Sequence, residues 1–337
     1  MQQTENNFNF LRILFASLVV FSHAYALLGF EEPVIFNRSL GNLSVHGFFC
    51  ISGYLICKSY MRNPGVLSFF VNRFLRIAPG LFVAMLFTYA VAKLCGGFEN
   101  NPVKYISNGP VWTLTWEGVC YFGLFVIGSI GLLQDRHFLS FYSAVWLAFL
   151  ININGVSDFY LVIAPMVLMF LTGVFVAMVE VDSVDNKFPW FAASGLVLVF
   201  DFDFFNYLYG VIVSNVPFLW GPTVTSEQIA RVIYIASFPL LVIFIGKSSN
   251  RRFIIKNDVS YGIYIYGWPI AQVIAYFAIK RNVELNPIIY FVLTMLVVVP
   301  ISFFSWIFVE RPSLKMKRTV SRSSKPPATQ THAGDLK

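Results

Sequence analysis

FNFLRILFASLVVFSHAYALL, residues 8–28, decides how the rest of the chain is read. Its 21 residues are enough to span a hydrocarbon core at a helix's ~1.5 Å rise per residue. Two of them, Arg12 and His23, do not belong in lipid. They are 11 positions apart. At ~100° per residue that is within ~20° of three full turns, so both lie on one side of the helix, about 16 Å apart along its axis. A polar stripe on a spanning helix must look into protein or water, because an intramembrane charge is costly. The plainer alternatives are that Arg12 snorkels to the nearby interface and that His23 is a hydrogen-bonded packing residue.

Composition sets the class. Apolar residues make up 57% of the chain and charged residues 12%, and mean hydropathy is +0.68. Soluble domains sit near ~25% charged, so the composition is that of a polytopic membrane protein, all-α. The opening segment lacks a basic n-region and a small-residue cleavage site, which makes it a retained helix and not a signal peptide. Cys50, Cys57, Cys95 and Cys120 fall in or at the ends of apolar segments, and no disulfide framework or metal spacing follows from them.

Ten spanning helices are expected, near residues 8–28, 43–60, 79–95, 113–133, 138–153, 158–179, 188–203, 228–246, 259–279 and 287–309. Residues 204–225 are interrupted by Asn206, Asn215, Pro217 and Gly221-Pro222 and read as a loop folded back onto the bundle. With the N-terminus in the cytoplasm, cytoplasmic segments collect seventeen Lys and Arg and the opposite loops only Arg38, Lys104, Lys280 and Arg281. The positive-inside rule then puts both termini inside. The net charge of +7 is a topology signal and not a sign of nucleic-acid binding. Residues 1–312 form the membrane domain, and 313–337 read as a disordered cytoplasmic tail.

Four further stretches carry polar chemistry. Ser44–Tyr54 opens the second helix with small residues that let backbones approach, and with His46 at the outer face, where it can touch a substrate or simply pack. NRFLRIAP, residues 72–79, lies in the expected first cytoplasmic loop. Its Arg73 and Arg76 share a face if the stretch is helical, and paired guanidinium groups suit phosphates bidentately. Such pairs also serve topology or contact anionic lipid headgroups. VWTLTWEGVCYF, residues 111–122, places Glu117 a turn inside an aromatic belt, with Tyr121 one turn further on the same face. A carboxylate there can orient a histidine, or pair structurally with Arg231. VSYGIYIYGWPIAQ, residues 259–272, brings Tyr261, Tyr264 and Trp268 onto the ninth expected helix.

Taken in order, the Arg-x10-His pair, FFCISGYLI, Arg73-x-x-Arg76-x-x-Pro79, the Trp112–Glu117 element and Tyr261-x-x-Tyr264 resemble the signature of the acyltransferase 3 family of membrane acyltransferases. The resemblance covers residues 8–312, with Thr113 where serine is usual and Gly267 where many members carry a histidine. It implies a bacterial inner-membrane O-acyltransferase with no bound cofactor. Its donor would be acyl-CoA, most often acetyl-CoA, and its acceptor a hydroxyl on a cell-surface carbohydrate or a lipid-linked saccharide precursor. It implies His23 as the general base, or as a transient acyl carrier, with Glu117 orienting it. Arg12, Arg73 and Arg76 would hold the donor, while His46, Tyr121, Tyr261 and Tyr264 would face the acceptor. A transporter or flippase of carbohydrate or lipid is the rival from another class, since intramembrane Arg and His and broken helices are transporter features too.

Overall fold

Without water to satisfy peptide groups, a chain crosses lipid only as helices, which satisfy themselves, or as a closed barrel, and long apolar helices are what this chain forms. Among the described residues the chain forms helices and one two-stranded hairpin. The computed structural model describes residues 7–95, 108–133, 135–153, 157, 159–179, 188–215, 225–247, 255 and 257–316. Helix α1 (Phe8–Leu27) leads through strands β1 (Val34–Ile35) and β2 (Arg38–Ser39) into α2 (Leu40–Arg62). There follow α3 (Val66–Leu94), α4 (Val111–Ser129) and α5 (Asp135–Ile151). A π turn (Phe159–Ile163) runs into α6 (Ala164–Met178), followed by α7 (Phe188–Leu198) and α8 (Phe202–Asn215). Next come α9 (Ser226–Lys247), α10 (Ser260–Lys280) and α11 (Pro287–Ser305), which continues through a π turn (Trp306–Glu310).

Eight of these helical segments are long and apolar enough to cross a membrane, and α5 is a shorter apolar helix. The centre and the rim separate by burial. Helices α2, α6 and α10 are mostly buried, while α3 and α11 turn rows of large apolar side chains outward, Phe74, Phe82 and Leu86 on one and Ile289, Leu296 and Phe304 on the other. Glycines seat the central pair. A Cβ added at Gly53 would lie 2.0 Å from the Phe170 carbonyl oxygen, and one added at Gly173 would lie 2.3 Å from that of Cys50. Only a hydrogen side chain lets α2 and α6 run backbone to backbone there, as small residues do between membrane helices. Around this contact lies the main apolar core, with Phe15, Phe49, Met169, Phe170, Tyr234 and Phe238.

Three departures from the sequence reading have local causes. The first cytoplasmic loop expected around Arg73 and Arg76 is instead the opening third of α3, a 29-residue helix that runs through Pro79. Proline there removes the helical hydrogen bond to the Leu75 carbonyl, a loss a helix bundle tolerates; separately, the Ile77 carbonyl accepts from the Tyr261 hydroxyl at 2.7 Å, tying α3 to α10. The expected span 188–203 is an 11-residue α7 ending at Leu198. A new helix starts after Asp201, whose carboxylate accepts from the amides of Asp203 and Phe204, both at 3.1 Å. Residues 204–215, expected as the first part of a loop over 204–225, therefore lie in α8. Its internal Asn206 costs well under ~1 kcal/mol of helix propensity, whereas Pro217 and Gly221-Pro222 lie outside the described residues. The polar tail from 317 onward also lies outside them, and 313–316 are still helical.

Candidate active site

The site is built on α1, whose Arg12 and His23 open into two adjoining cavities. Its first turn is tied down by the Asn7 amide donating to the Gly246 carbonyl at 2.9 Å and by Asn9 Nδ2 donating to the Ile255 carbonyl at 2.8 Å. That brings the residues just before α10 against Arg12. Asp258 Oδ2 takes Arg12 Nη1 at 2.6 Å and Arg76 Nη2 at 2.7 Å. Its Oδ1 holds the first residue of α10, accepting from the Ser260 hydroxyl and from the Ser260 amide at 3.3 Å. Asp258 is 6% exposed, so one buried carboxylate joins α1, α3 and α10. Burial opposes its charge, but the two guanidinium groups and the Ser260 hydroxyl outweigh that and hold its carboxyl at about 2.

Arg73 has a different fate. Its guanidinium lies 5.9 Å from the Phe69 ring and 6.0 Å from the Tyr121 ring, and donates to Ser59 Oγ at 3.2 Å. Its buried Nε has no hydrogen-bond partner. Of the three arginines it is the one without a carboxylate partner among the described residues.

The first cavity, about 50 Å³, is lined by Arg12, Ser52, Glu117, Ser260 and Tyr261, with Phe48, Phe49 and Leu114 as its apolar wall. Glu117 is satisfied from α2 and from its own helix, accepting from the Ser52 hydroxyl at 2.7 Å and from the Tyr121 hydroxyl. The second cavity, about 370 Å³, is lined by His23, Glu32, Ser39, Asn42, Trp112 and Trp268, among others. His23 meets the Trp268 ring edge to face with centroids 4.7 Å apart. The carboxylate sharing this chamber is Glu32, which accepts from the Ser22 hydroxyl.

Val45, Thr113 and Tyr264 line both cavities. Thr113 Oγ1 and Tyr264 Oη are 2.5 Å apart, and the Pro110 carbonyl oxygen lies 2.9 Å from the first and 3.1 Å from the second; with one proton on each hydroxyl, one donates to its neighbour and the other to the carbonyl. The Pro110 turn is held in turn by Asn108 Nδ2, which donates to the Ile265 carbonyl at 2.8 Å. That carbonyl lies four residues before Pro269 and has lost its helical donor to the missing proline N–H. A helix break in α10 thus fixes the turn that opens α4.

Several expected partnerships are not the ones formed. Glu117 does not reach His23: it lines the first cavity and His23 the second, so its hydrogen bonds go to Ser52 and Tyr121. Nor does it pair with Arg231, which meets Glu227 at 3.0 Å, one turn earlier on α9. His46 is 5% exposed and lines neither cavity; its Nδ1 lies 3.0 Å from Tyr234 Oη, making it a packing histidine between α2 and α9. Arg12 and Arg76 are engaged by Asp258. Tyr261 and Tyr264 do reach the cavities, and Tyr121 reaches Glu117. Sequence reasoning missed Asp258, Glu32 and the linking role of Thr113. The available signal was an Asp two residues ahead of Ser260, at a helix start.

Membrane-length helices packed around a charged, partly buried pair of cavities define a polytopic membrane protein with an internal polar site. The chain belongs to the acyltransferase 3 family, whose model, described as an acyltransferase domain, matches residues 5–307. It is similar to an O-acetyl transferase of Shigella phage Sf6, 27% identical over 95% of this chain and 97% of the relative. It is also similar to nodulation protein 10 of Rhizobium leguminosarum bv. viciae, 36% identical over 33% of this chain. The chain spans 31% of the length of that second relative. No solved structure matches it significantly.

Proposed function

We propose that the protein is an O-acyltransferase of the bacterial inner membrane, moving a short acyl group, acetyl in the first instance, from acyl-CoA to a hydroxyl of a surface carbohydrate or its lipid-linked precursor. The observation that carries the reading is that Arg12 and His23, on one helix, open into two cavities that share a wall. A two-substrate transfer needs a donor side and an acceptor side, and a lone binding site does not. In this reading the donor enters from the arginine end of α1, on the cytoplasmic side. Arg73, which has no carboxylate partner among the described residues, takes donor phosphate. The larger cavity has the size and mixed polar and aromatic lining that suit a sugar.

The chemistry follows from where a proton must go. His23 takes the proton of the acceptor hydroxyl as its oxygen attacks the thioester carbonyl. The carbon–sulfur bond breaks, the new carbon–oxygen bond remains on the sugar, and the imidazolium returns its proton to the departing thiolate. The edge of Trp268 fixes the imidazole plane from one side. The chain's affinity for acyl-CoA and its acyl product are then testable together. With purified His23→Gln protein, acetyl-CoA binding should persist while acetyl transfer to surface glycan falls by about 10²–10⁴-fold, the usual loss for a general base. Transfer within a few-fold of the unsubstituted protein would make His23 a packing residue and end the mechanism.

A further inference from the structure

The wall between the cavities is thin and chemically defined. Thr113 is 5% and Tyr264 7% exposed, and their hydroxyl pair is what stands between the Arg12 cavity and the His23 cavity, with Val45 beside it. Phe48 braces it, its ring edge-on to Tyr264 with centroids 5.6 Å apart. On the donor side the free space is about 50 Å³. The acceptor side, about 370 Å³, is several times larger. The donor side is thus the narrower of the two.

We propose that the Thr113–Tyr264 hydroxyl pair is the selectivity partition of this transferase: it passes a short acyl group to the His23 cavity, excludes longer chains, and keeps water in the larger cavity from the thioester. The inference rests on the acyl-transfer reading and adds residues that determine which acyl group is used and how little is lost to hydrolysis. The pair suits the task because both hydroxyls have a second acceptor in the Pro110 carbonyl. The bond between them can part without leaving either group unpaired. Both sit on rigid elements: the Pro110 turn is pinned by Asn108, and Tyr264 lies within α10. In the hydrolytic side reaction, water takes the acceptor's place. The thioester carbon–sulfur bond breaks, the free acid forms, and the proton goes to the thiolate.

The test uses the full purified chain in lipid nanodiscs, with acetyl-CoA and butyryl-CoA as probes and thiol release in the absence of acceptor as the readout. Thr113→Val keeps the side-chain shape without the hydroxyl, and Tyr264→Phe keeps the ring. Each should raise acceptor-independent acetyl-CoA hydrolysis several-fold and raise the butyryl-to-acetyl ratio by a similar factor. Thr113→Ser, which keeps the hydroxyl, should hold both near the unsubstituted protein. If both variants still bind acetyl-CoA but leave the two readouts unchanged, the pair is no partition. If both lose hydrolysis and glycan acetylation in equal measure, the pair is structural or catalytic and the proposal is likewise overturned. A different result, no acetyl on surface glycan with the unsubstituted protein, would defeat the acyl-transfer reading itself.

Discussion

Replacing Asp258 by asparagine isolates the one carboxylate that holds three helices together. The change keeps shape, and the Oδ1 that holds Ser260 can still accept, so that contact is retained. What is lost is the charge facing Arg12 and Arg76, both of which stay mostly buried, at 17% and 32% side-chain exposure. Two estimates bound the effect. Asp258 is held at about 2 against an ordinary 3.8. By linkage that is on the order of 2 kcal/mol of stability. Because the folded value is the depressed one, this stability is present above the unfolded value and lost only as pH falls toward 2. Deletion costs more than linkage, because the variant strands two guanidinium groups without a counter-charge; breaking a buried pair typically costs about 3–5 kcal/mol.

At a few degrees per kcal/mol for a chain of this size class, Asp258→Asn should unfold roughly 6 °C or more below the unsubstituted protein. Intrinsic tryptophan fluorescence of detergent-solubilised protein during a thermal ramp measures it. The comparison is made at pH 7, where Asp258 is fully charged. A midpoint within one degree of the unsubstituted protein would refute the three-helix ion cluster as a stabilising element.

Two further outcomes follow from the same geometry. Arg73→Ala should weaken acetyl-CoA binding in calorimetric titration by about 1.5–3 kcal/mol, roughly tenfold to a hundredfold or more, with little change in unfolding temperature; Arg76→Ala should do the reverse, lowering stability because it removes one of the two guanidinium partners of Asp258 and leaves Arg12 as the other. Gly173→Ala should cost at least ~1–3 kcal/mol and reduce the monodisperse fraction on size-exclusion chromatography, because its Cβ meets backbone atoms of α2 on two sides, 2.3 Å from Cys50 O and 2.9 Å from Tyr54 N. Gly118→Ala, where nothing lies within 4 Å, is the matched control and should leave the profile unchanged.

The all-α membrane class and the polar face of α1 were legible because both are local: hydropathy along one segment, and angular spacing within one helix. Partnerships were not. Glu117 and His23 were paired on chemical grounds, yet nothing within either segment states which cavity its side chain enters. Asp258 escaped notice because an acid in a short polar connector looks like any solvated loop residue until α1 and α3 bring Arg12 and Arg76 to it. Arg73 and Arg76 were read as loop residues because two arginines and a proline mimic a cytoplasmic turn. Inside a bundle a single missing helical hydrogen bond is tolerated, and the helix continues through Pro79.

The ~16 Å offset between Arg12 and His23, awkward if both were to touch one reacting atom, has a consistent place once the cavities are separate. Arg12 is neutralised by Asp258 and forms the floor of the first cavity, so it has no need to approach the acyl carbon. His23 stands beyond the Thr113–Tyr264 wall, in the chamber large enough for an acceptor. A donor whose phosphates and thioester lie at opposite ends of a long flexible arm matches that division, with phosphate near Arg73 and the acyl end at the wall. Helix α1 then works as a spacer. On the proposed reading, its length between Arg12 and His23 would set how far the acyl group must travel, and the hydroxyl pair would set what is allowed through.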